Sequence, residues 1–388
     1  MAHRRPAFLG GQPAFPTALA FASPDLRDTP AIAAKLQATL LSGMITNDRE
    51  VRALEDDFAA ATGVEHCVAV SSATSGLVLA AKCMGLTGEV VLPSFTFVAT
   101  GLPLVWNNLK PVFVDIDPLT FNVDPGLVES AITPATSAVI AVHIYGNPAD
   151  EDALAAIAGR HGLRLLFDAA HGIGTLYRGR PAGQAGDCQV FSLSPTKLAT
   201  GAEGGLVVTN DDGLAKDLRL ARNYGQAGDY VCRFAGLNAR LSELHAALAR
   251  HTLAYVEENV ERRNLLAARY EARLRDIPGL TFPVVDPRDR HSYKDFTIRV
   301  DAQAFGMNRN ELQQALTLEG IATKVYFDPP LHQQRSLGLN SNPRGYRLPH
   351  TECAAREVLS LPMYSQLEPD AVDMVVEVIE SIHMAATR

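Results

Sequence analysis

The stretch AVIAVHIYGNPADEDALAAIAGRHGLRLLFDAAH, residues 138–171, contains the pattern that decides the fold. An apolar run over Ala138–Ile144 is followed by a helical pattern over Glu151–His161 and by a second apolar run over Leu163–Asp168. Unbroken apolar runs are typical of parallel strands that are buried on both faces. Strands that alternate with helices predict a mostly parallel sheet with helices on both faces.

The same alternation continues on both sides of this stretch. Further strands are predicted at His66–Ser71, Glu89–Leu92, Pro111–Ile116, Cys188–Leu193 and Gly205–Thr209, and helices at Thr29–Ser42, Glu50–Thr62, Thr74–Met84 and Phe97–Trp106. From Leu237 to Arg275 the pattern is helical for almost its whole length, with room for one break. The remainder predicts strands at Lys294–Val300 and Thr323–Tyr326, and helices at Asn308–Glu319, at His350–Val358 and from Glu368.

These patterns divide the chain into three parts. Residues 1–28 are rich in proline and glycine and are predicted to form an extended N-terminal arm. Residues 29–255 are predicted to form a large α/β domain, and residues 256–388 a smaller C-terminal α+β domain. A chain of 388 residues is long enough for both.

Composition and charge exclude several classes of protein. The net charge is −8, and no basic tract is interleaved with aromatic residues, which argues against nucleic-acid binding. No apolar run approaches the roughly 20 residues of a membrane span, and no apolar segment of a signal peptide follows the N-terminal arginines. The five cysteines are scattered, without a CxxC pair or metal-ligand spacing, so we expect reduced thiols, a cytoplasmic protein and no metal site.

Three segments supply the chemistry of a pyridoxal phosphate (PLP) site. Lys197 ends the run Phe191-Ser192-Leu193-Ser194-Pro195-Thr196-Lys197 and precedes a glycine-rich turn, and Asp168 ends a predicted strand. Ligands of open α/β sheets bind at the carboxyl ends of strands. The turn Ser71–Gly76 opens a predicted helix, whose unpaired backbone amides would favour a phosphate, with Thr74 and Ser75 as hydroxyl donors. A lysine can form the Schiff base, and a carboxylate can keep the pyridine nitrogen protonated.

Each residue of this set has a simpler interpretation when it is taken alone. Lys197 could be a solvated surface charge, and Asp168 could cap a helix or form a core ion pair. His171 could contact the phenolic oxygen of the cofactor or could be a packed core histidine. Phe97 could stack on the cofactor ring or pack in the core, and Ser192 could add a phosphate donor. Their occurrence together favours the cofactor site.

The ordered set of motifs resembles the DegT/StrS-type sugar aminotransferases, which are fold-type I PLP enzymes. The resemblance covers most of the chain and is carried by Val68–Thr74, Pro93–Thr96, Val142–Gly146, Asp168–His171, Phe191–Lys197, Glu203–Gly205, Gly236–Glu243 and Leu359–Pro362. Ser75-Gly76 departs from the usual Ala-Ala of the family, and Ser194 stands where several members have histidine or an aromatic residue.

The resemblance implies a role for each matching residue. Lys197 would be the Schiff-base lysine, Asp168 the partner of the pyridinium, His171 a contact of the phenolic oxygen and Phe97 the stacking aromatic. The implied phosphate contacts are Ala73, Thr74 and Ser192, with Ser75 beside them. Asn238 matches an asparagine that reaches the phosphate in the neighbouring subunit, which implies a homodimer with shared active sites. Lys197 argues against the branch of the family that has histidine there and performs dehydration.

The implied reaction is the transfer of an amino group, with L-glutamate as donor, to a nucleoside-diphosphate keto-deoxy sugar. The turn Glu203-Gly204-Gly205 favours C4 by analogy with the family. Arg240, Tyr326 and His332 are the implied substrate contacts. Two alternatives remain open at this point: an aminotransferase for a keto-cyclitol of an aminoglycoside pathway, and a non-catalytic regulator that keeps the PLP scaffold.

Overall fold

The computed structural model describes residues 5–337 and 345–387. Its helices are α1 (Thr29–Leu41), α2 (Arg49–Thr62), α3 (Ala73–Cys83), α4 (Val98–Trp106), α5 (Pro125–Ser130), α6 (Glu151–His161), α7 (Asp212–Ala221), α8 (Glu243–Leu253), α9 (Val256–Leu274), α10 (Ala302–Phe305), α11 (Arg309–Leu318), α12 (Pro349–Glu357) and α13 (Pro369–Ala386). Its strands are β1 (His66–Val70), β2 (Glu89–Pro93), β3 (Lys110–Val114), β4 (Thr136–Val142), β5 (Arg164–Asp168), β6 (Leu176–Tyr177), β7 (Arg180–Pro181), β8 (Cys188–Ser192), β9 (Gly205–Thr209), β10 (Leu280–Thr281), β11 (Phe296–Val300) and β12 (Val358–Leu361).

A seven-stranded sheet forms the centre of the large domain, in the order β1-β9-β8-β5-β4-β2-β3. All neighbouring strands are parallel except those that flank β9, which runs antiparallel to both β1 and β8. The predicted α/β fold class, with a mostly parallel central sheet, is confirmed. Because β5 and β8 are parallel neighbours, Asp168 and Ser192 end at the same edge of the sheet.

Helices cover both faces of this sheet, and the strand residues alternate between them. Val68 and Val70 of β1 belong to the same apolar cluster as Leu77 of α3. Cys67 and Ala69, which point the other way, pack with Phe58 of α2. The two-sided burial explains why these strands are apolar throughout.

The small domain is built on the antiparallel sheet β10-β11-β12. The helices α9, α11 and α13 share its core, and the N-terminal arm lies against it, with the Phe15 N–H donating to the Glu319 carbonyl at 3.0 Å. Helix α9 begins next to the domain boundary predicted at residue 255, and its residues pack in the cores of both domains. Val260 packs in the large domain, whereas Leu266 and Tyr270 pack in the small one.

One local prediction for the small domain was wrong. The segment predicted as a strand at Thr323–Tyr326 forms only one isolated bridge, between Lys324 and Ser360, and Tyr326 instead lines a cavity. The helix predicted at His350–Val358 is observed at Pro349–Glu357, and β12, which pairs with β11, follows it directly. Over the described ranges, no helix has the length and apolar character needed to cross a bilayer.

Candidate active site

A cavity of about 260 Å³ lies at the carboxyl ends of β5 and β8. It is lined by eight of the residues that the sequence indicated, namely Ala73, Thr74, Phe97, Asp168, His171, Ser192, Lys197 and Tyr326. Residues as far apart in the sequence as Ala73 and Tyr326 meet in this cavity. The geometry therefore places most of the predicted site in a single space.

Asp168 is a buried carboxylate that hydrogen bonds hold in place. The Thr100 hydroxyl donates to its Oδ2 at 2.6 Å, and the Ala170 N–H donates to its Oδ1 at 3.1 Å. Burial raises the pKa of the Asp168 carboxyl, although these hydrogen bonds oppose the shift. In the described residues no lysine, arginine or histidine forms an ion pair with it. A buried anion of this kind is suited to a cationic ligand group.

Lys197 faces the same cavity from the loop after β8. Its backbone N–H donates to the Ser194 carbonyl at 3.0 Å, which closes a tight turn that projects the side chain. Burial, and after it the nearby Lys294 ammonium, lowers the pKa of Lys197 to about 7. A large fraction of the amine is therefore neutral near pH 7, and a neutral amine is the nucleophile that an aldehyde requires.

His171 is fixed in one tautomer by its backbone neighbour. Its Nδ1 accepts the Tyr145 N–H at 3.2 Å. Burial, followed by the charges of Lys197 and Lys294, lowers the pKa of His171 well below its ordinary value. A neutral ring whose Nδ1 accepts carries its proton on Nε2, so His171 can donate a hydrogen bond to a ligand oxygen.

The start of α3 forms the anion-binding side of the cavity. Ser72 caps the helix: its hydroxyl accepts the Ser75 N–H at 3.1 Å, and the Ser75 hydroxyl accepts the Ser72 N–H at 3.1 Å. The N–H groups of Ala73 and Thr74 have no acceptor within the helix, because they belong to its first turn. Ser192 also lines the cavity and pairs in the sheet with Gly205, which lies against the Ala73 backbone. Ser75 does not line the cavity, and its hydroxyl instead holds the turn.

Three residues of the small domain line the cavity, namely Lys294, Tyr326 and Phe327. The sequence indicates only Tyr326 as a site residue and places Lys294 at the start of a predicted strand. The signal that could have identified it is a charged pair, Lys294-Asp295, between the aromatic residues Tyr293 and Phe296. Lys294 and Asp295 lie in the bend before β11 and are both buried, and buried charges require a partner or a function.

The other cavity residues with possible ligand contacts are Phe97 and Glu203. Phe97 caps α4 and remains 54% exposed, with its ring tilted against Phe327 at a centroid distance of 6.3 Å. An aromatic ring left this open beside a cavity is available to stack on a ligand. Glu203 lines the cavity from the glycine-rich turn.

Asn238 and Arg240 lie outside this cavity. Asn238 is exposed, on a segment that bridges to Asn223. The Arg240 guanidinium donates to the Asn223 side chain at 2.5 Å and lies 5.5 Å from the centroid of the Tyr224 ring. Neither residue is among the described residues that line the cavity.

The expectation for His332 needs correction. Its side chain is 1% exposed and does not line the cavity. Its Nδ1 is 2.7 Å from the Ser94 hydroxyl, and its Nε2 is 3.5 Å from the Glu352 carboxylate. A buried ring with both nitrogens occupied anchors the loop after Pro330 and has no free surface for a substrate.

The residues present fit PLP at each of its polar groups. The unpaired carboxylate of Asp168 suits the pyridinium, and the Lys197 amine suits the aldehyde. The first turn of α3, with Thr74 and Ser192, suits the phosphate. The Nε2–H of His171 suits the phenolic oxygen.

Comparisons with known proteins agree with this assignment. The family model described as the DegT/DnrJ/EryC1/StrS aminotransferase family matches residues 27–380. The chain is 38% identical over 359 residues to dTDP-3-amino-3,4,6-trideoxy-alpha-D-glucose transaminase of Streptomyces venezuelae, covering 91% of this chain and 93% of that protein. It is 34% identical over 347 residues to UDP-2-acetamido-2-deoxy-3-oxo-D-glucuronate aminotransferase of Pseudomonas aeruginosa, covering 89% and 94%. The crystal structure of DesI in the presence of its TDP-sugar product superimposes with a TM-score of 0.90 and 39% identity, covering 98% of this chain and 96% of that one.

Proposed function

The chain belongs to the DegT/DnrJ/EryC1/StrS aminotransferase family, and from that premise we propose that it transfers an amino group from L-glutamate to C4 of a nucleoside-diphosphate keto-deoxy sugar. The enzyme class and the cofactor are those of the family: the protein is a PLP-dependent aminotransferase. The alternative of a non-catalytic regulator is therefore set aside. The observation that carries the proposal is the convergence of Lys197, Asp168 and the first turn of α3 on one cavity.

PLP supplies an electron sink for the carbon that carries the migrating amine. We assign to Lys197 the covalent attachment of the cofactor and, once released, the transfer of the proton at the α-carbon of the donor. A lysine with a pKa near 7 can both accept and return a proton at neutral pH. Asp168 would hold the ring nitrogen protonated, with Thr100 fixing its orientation.

Sugar specificity is proposed to rest on the rim of the cavity. Glu203 and Tyr326 line it and can meet sugar hydroxyls. The Glu203-Gly204-Gly205 turn supports C4 through the family resemblance, whereas the names of two relatives carry an amino or oxo group at position 3. A test must therefore include sugars with the keto group at C3 and sugars with the keto group at C4.

The deciding experiment has two stages. The enzyme is first converted with L-glutamate, which changes the visible absorption of the cofactor and leaves 2-oxoglutarate. It is then offered nucleoside-diphosphate 4-keto-6-deoxy and 3-keto-6-deoxy hexoses, and the aminated product is identified by NMR. We expect reaction with the 4-keto sugar. Amination of the 3-keto sugar alone, or of a keto-cyclitol alone, would refute the C4 assignment while leaving the aminotransferase class intact.

A homodimer with shared sites and a cytoplasmic location complete the proposal. The dimer is supported by Asn238, which is exposed and outside its own cavity, and by the exposed side chains of Leu237 and of Tyr224, whose N–H donates to the Leu237 carbonyl at 3.0 Å. The location is supported by five cysteines that are all free thiols in the structure.

A further inference from the structure

Two lysines line the cavity, and the proposed function gives a role to only one of them. Lys197 is assigned to the cofactor, whereas Lys294 enters from the small domain, at the residue before the buried Asp295. Lys294 is 4% exposed and reaches the same cavity. The ion pair with Asp295 offsets the cost of burying the ammonium, but it uses only one of the three N–H donors of Lys294.

The surroundings hold the Lys294 ammonium in place but leave part of it open. It donates to Asp295 Oδ1 at 2.7 Å and lies 5.4 Å from the centroid of the Tyr326 ring. An ammonium has three N–H donors, and within the described ranges the structure records no second acceptor for this one. Two donors are therefore available to a ligand in the cavity, which Tyr326 also lines.

An amino donor brings an anion into this space. The α-carboxylate of an amino acid is attached to the carbon that reacts, so it must lie in the same cavity as Lys197. Carboxylates that leave water require a charged hydrogen-bond donor. Among the described residues that line the cavity, Lys197 and Lys294 are the only lysines or arginines.

We propose that Lys294 binds the α-carboxylate of the amino donor. This inference rests on the proposed aminotransferase function and extends it to the first substrate. Asp295 positions the ammonium through a single hydrogen bond, and the Tyr326 ring gives it a cation–π neighbour. The keto sugar has no carboxylate, so its half-reaction does not depend on this contact.

The first test varies the ligand and uses the wild-type holoenzyme. L-glutamate, L-glutamine and L-isoglutamine are compared in the donor half-reaction by the change in cofactor absorption. L-glutamine keeps the α-carboxylate and loses the side-chain charge, whereas L-isoglutamine has a neutral amide in place of the α-carboxylate. We expect the concentration for half-maximal rate to be at least tenfold higher for L-isoglutamine than for L-glutamine. Equal half-saturating concentrations for these two donors, or an increase for L-glutamine alone, would overturn the proposal.

The second test varies the protein. Lys294→Gln should raise the donor concentration for half-maximal rate at least tenfold for both L-glutamate and L-glutamine, with the maximal rate changed much less. Because this variant leaves Asp295 buried without its partner, Lys294→Gln with Asp295→Asn serves as a second variant without an unpaired charge. Lys216→Gln, at an exposed position of α7, is the matched control.

The outcomes separate this inference from the proposed function. The concentration dependence for the nucleotide sugar should stay within about twofold of wild type in the Lys294 variants, since a neutral sugar ring does not use the carboxylate contact. An equal loss in both half-reactions, or a loss for L-glutamate alone, would overturn the α-carboxylate assignment. Failure of the sugar proposal would instead leave the donor half-reaction normal and abolish the second one with every nucleotide sugar.

Discussion

The two walls of the cavity differ in origin and in chemistry. The large-domain wall is built from strand ends and a helix start, and it contains Asp168, Lys197 and the first turn of α3. The small-domain wall comes from the bend before β11 and from irregular chain, and it contains Lys294 and Tyr326. The first wall has a partner for each polar group of the cofactor. The proposed substrate contacts lie mainly on the second wall, although Glu203 of the large domain also lines the cavity.

Substitution of Lys197 should have the largest effect, and it tests whether the large-domain wall carries the chemistry. Lys197→Ala should reduce both half-reactions at least about a thousandfold, because covalent attachment and proton transfer are lost together. Stopped-flow absorbance with L-glutamate and with a keto sugar measures each half-reaction. Lys216→Gln should retain wild-type rates, and near-normal turnover by Lys197→Ala would show that this wall does not carry the chemistry.

Asp168→Asn should have the next largest effect. The variant keeps the shape of the side chain and removes the charge that would hold the pyridine nitrogen protonated, so both half-reactions should slow at least about tenfold. Some cofactor should remain bound, as its absorption would show. Asp370→Asn, on the exposed start of α13, is the control. Rates within about threefold of wild type would remove Asp168 from its proposed role.

Asn238 tests whether the large-domain wall extends across a dimer. Neither Lys197→Ala nor Asn238→Ala should have much activity alone. After subunit exchange, each mixed dimer would have one site with both lesions and one site with neither, so about a quarter of wild-type activity should return from an equal mixture. Exchange verified by mass spectrometry without any recovery would mean that Asn238 does not act on the partner's site.

Substitution of Tyr326 should have the smallest effect, and it tests the role of the small-domain wall in sugar binding. Burial raises the pKa of Tyr326 to about 12, so its hydroxyl stays protonated and can donate near neutral pH. Tyr326→Phe should lower kcat/KM for the nucleotide sugar about threefold to tenfold, the value of one hydrogen bond, and leave the cofactor in place. Loss of cofactor from the variant in equilibrium dialysis would mean that Tyr326 binds the cofactor and not the sugar.

The sequence predicted the two walls unequally, and the reason is physical. Asp168 and Lys197 follow long apolar strands, and the carboxyl ends of adjacent parallel strands meet without any further information. Lys294 and Tyr326 meet the site only through the packing of the small domain, which depends on long-range contacts around α9 and β12. No local periodicity encodes those contacts. His332 was misassigned for the same reason, since its burial against Ser94 depends on a contact 238 residues away in sequence.

The most direct test of the division between the walls is to locate the cofactor on one of the two cavity lysines. Borohydride reduction of the holoenzyme converts a lysine-bound aldehyde into a stable amine, and peptide mapping by mass spectrometry then identifies the modified residue. We expect the added mass on the peptide that contains Lys197 and none on the peptide that contains Lys294. Labelling of Lys294, or of neither lysine in an active and fully loaded enzyme, would contradict it.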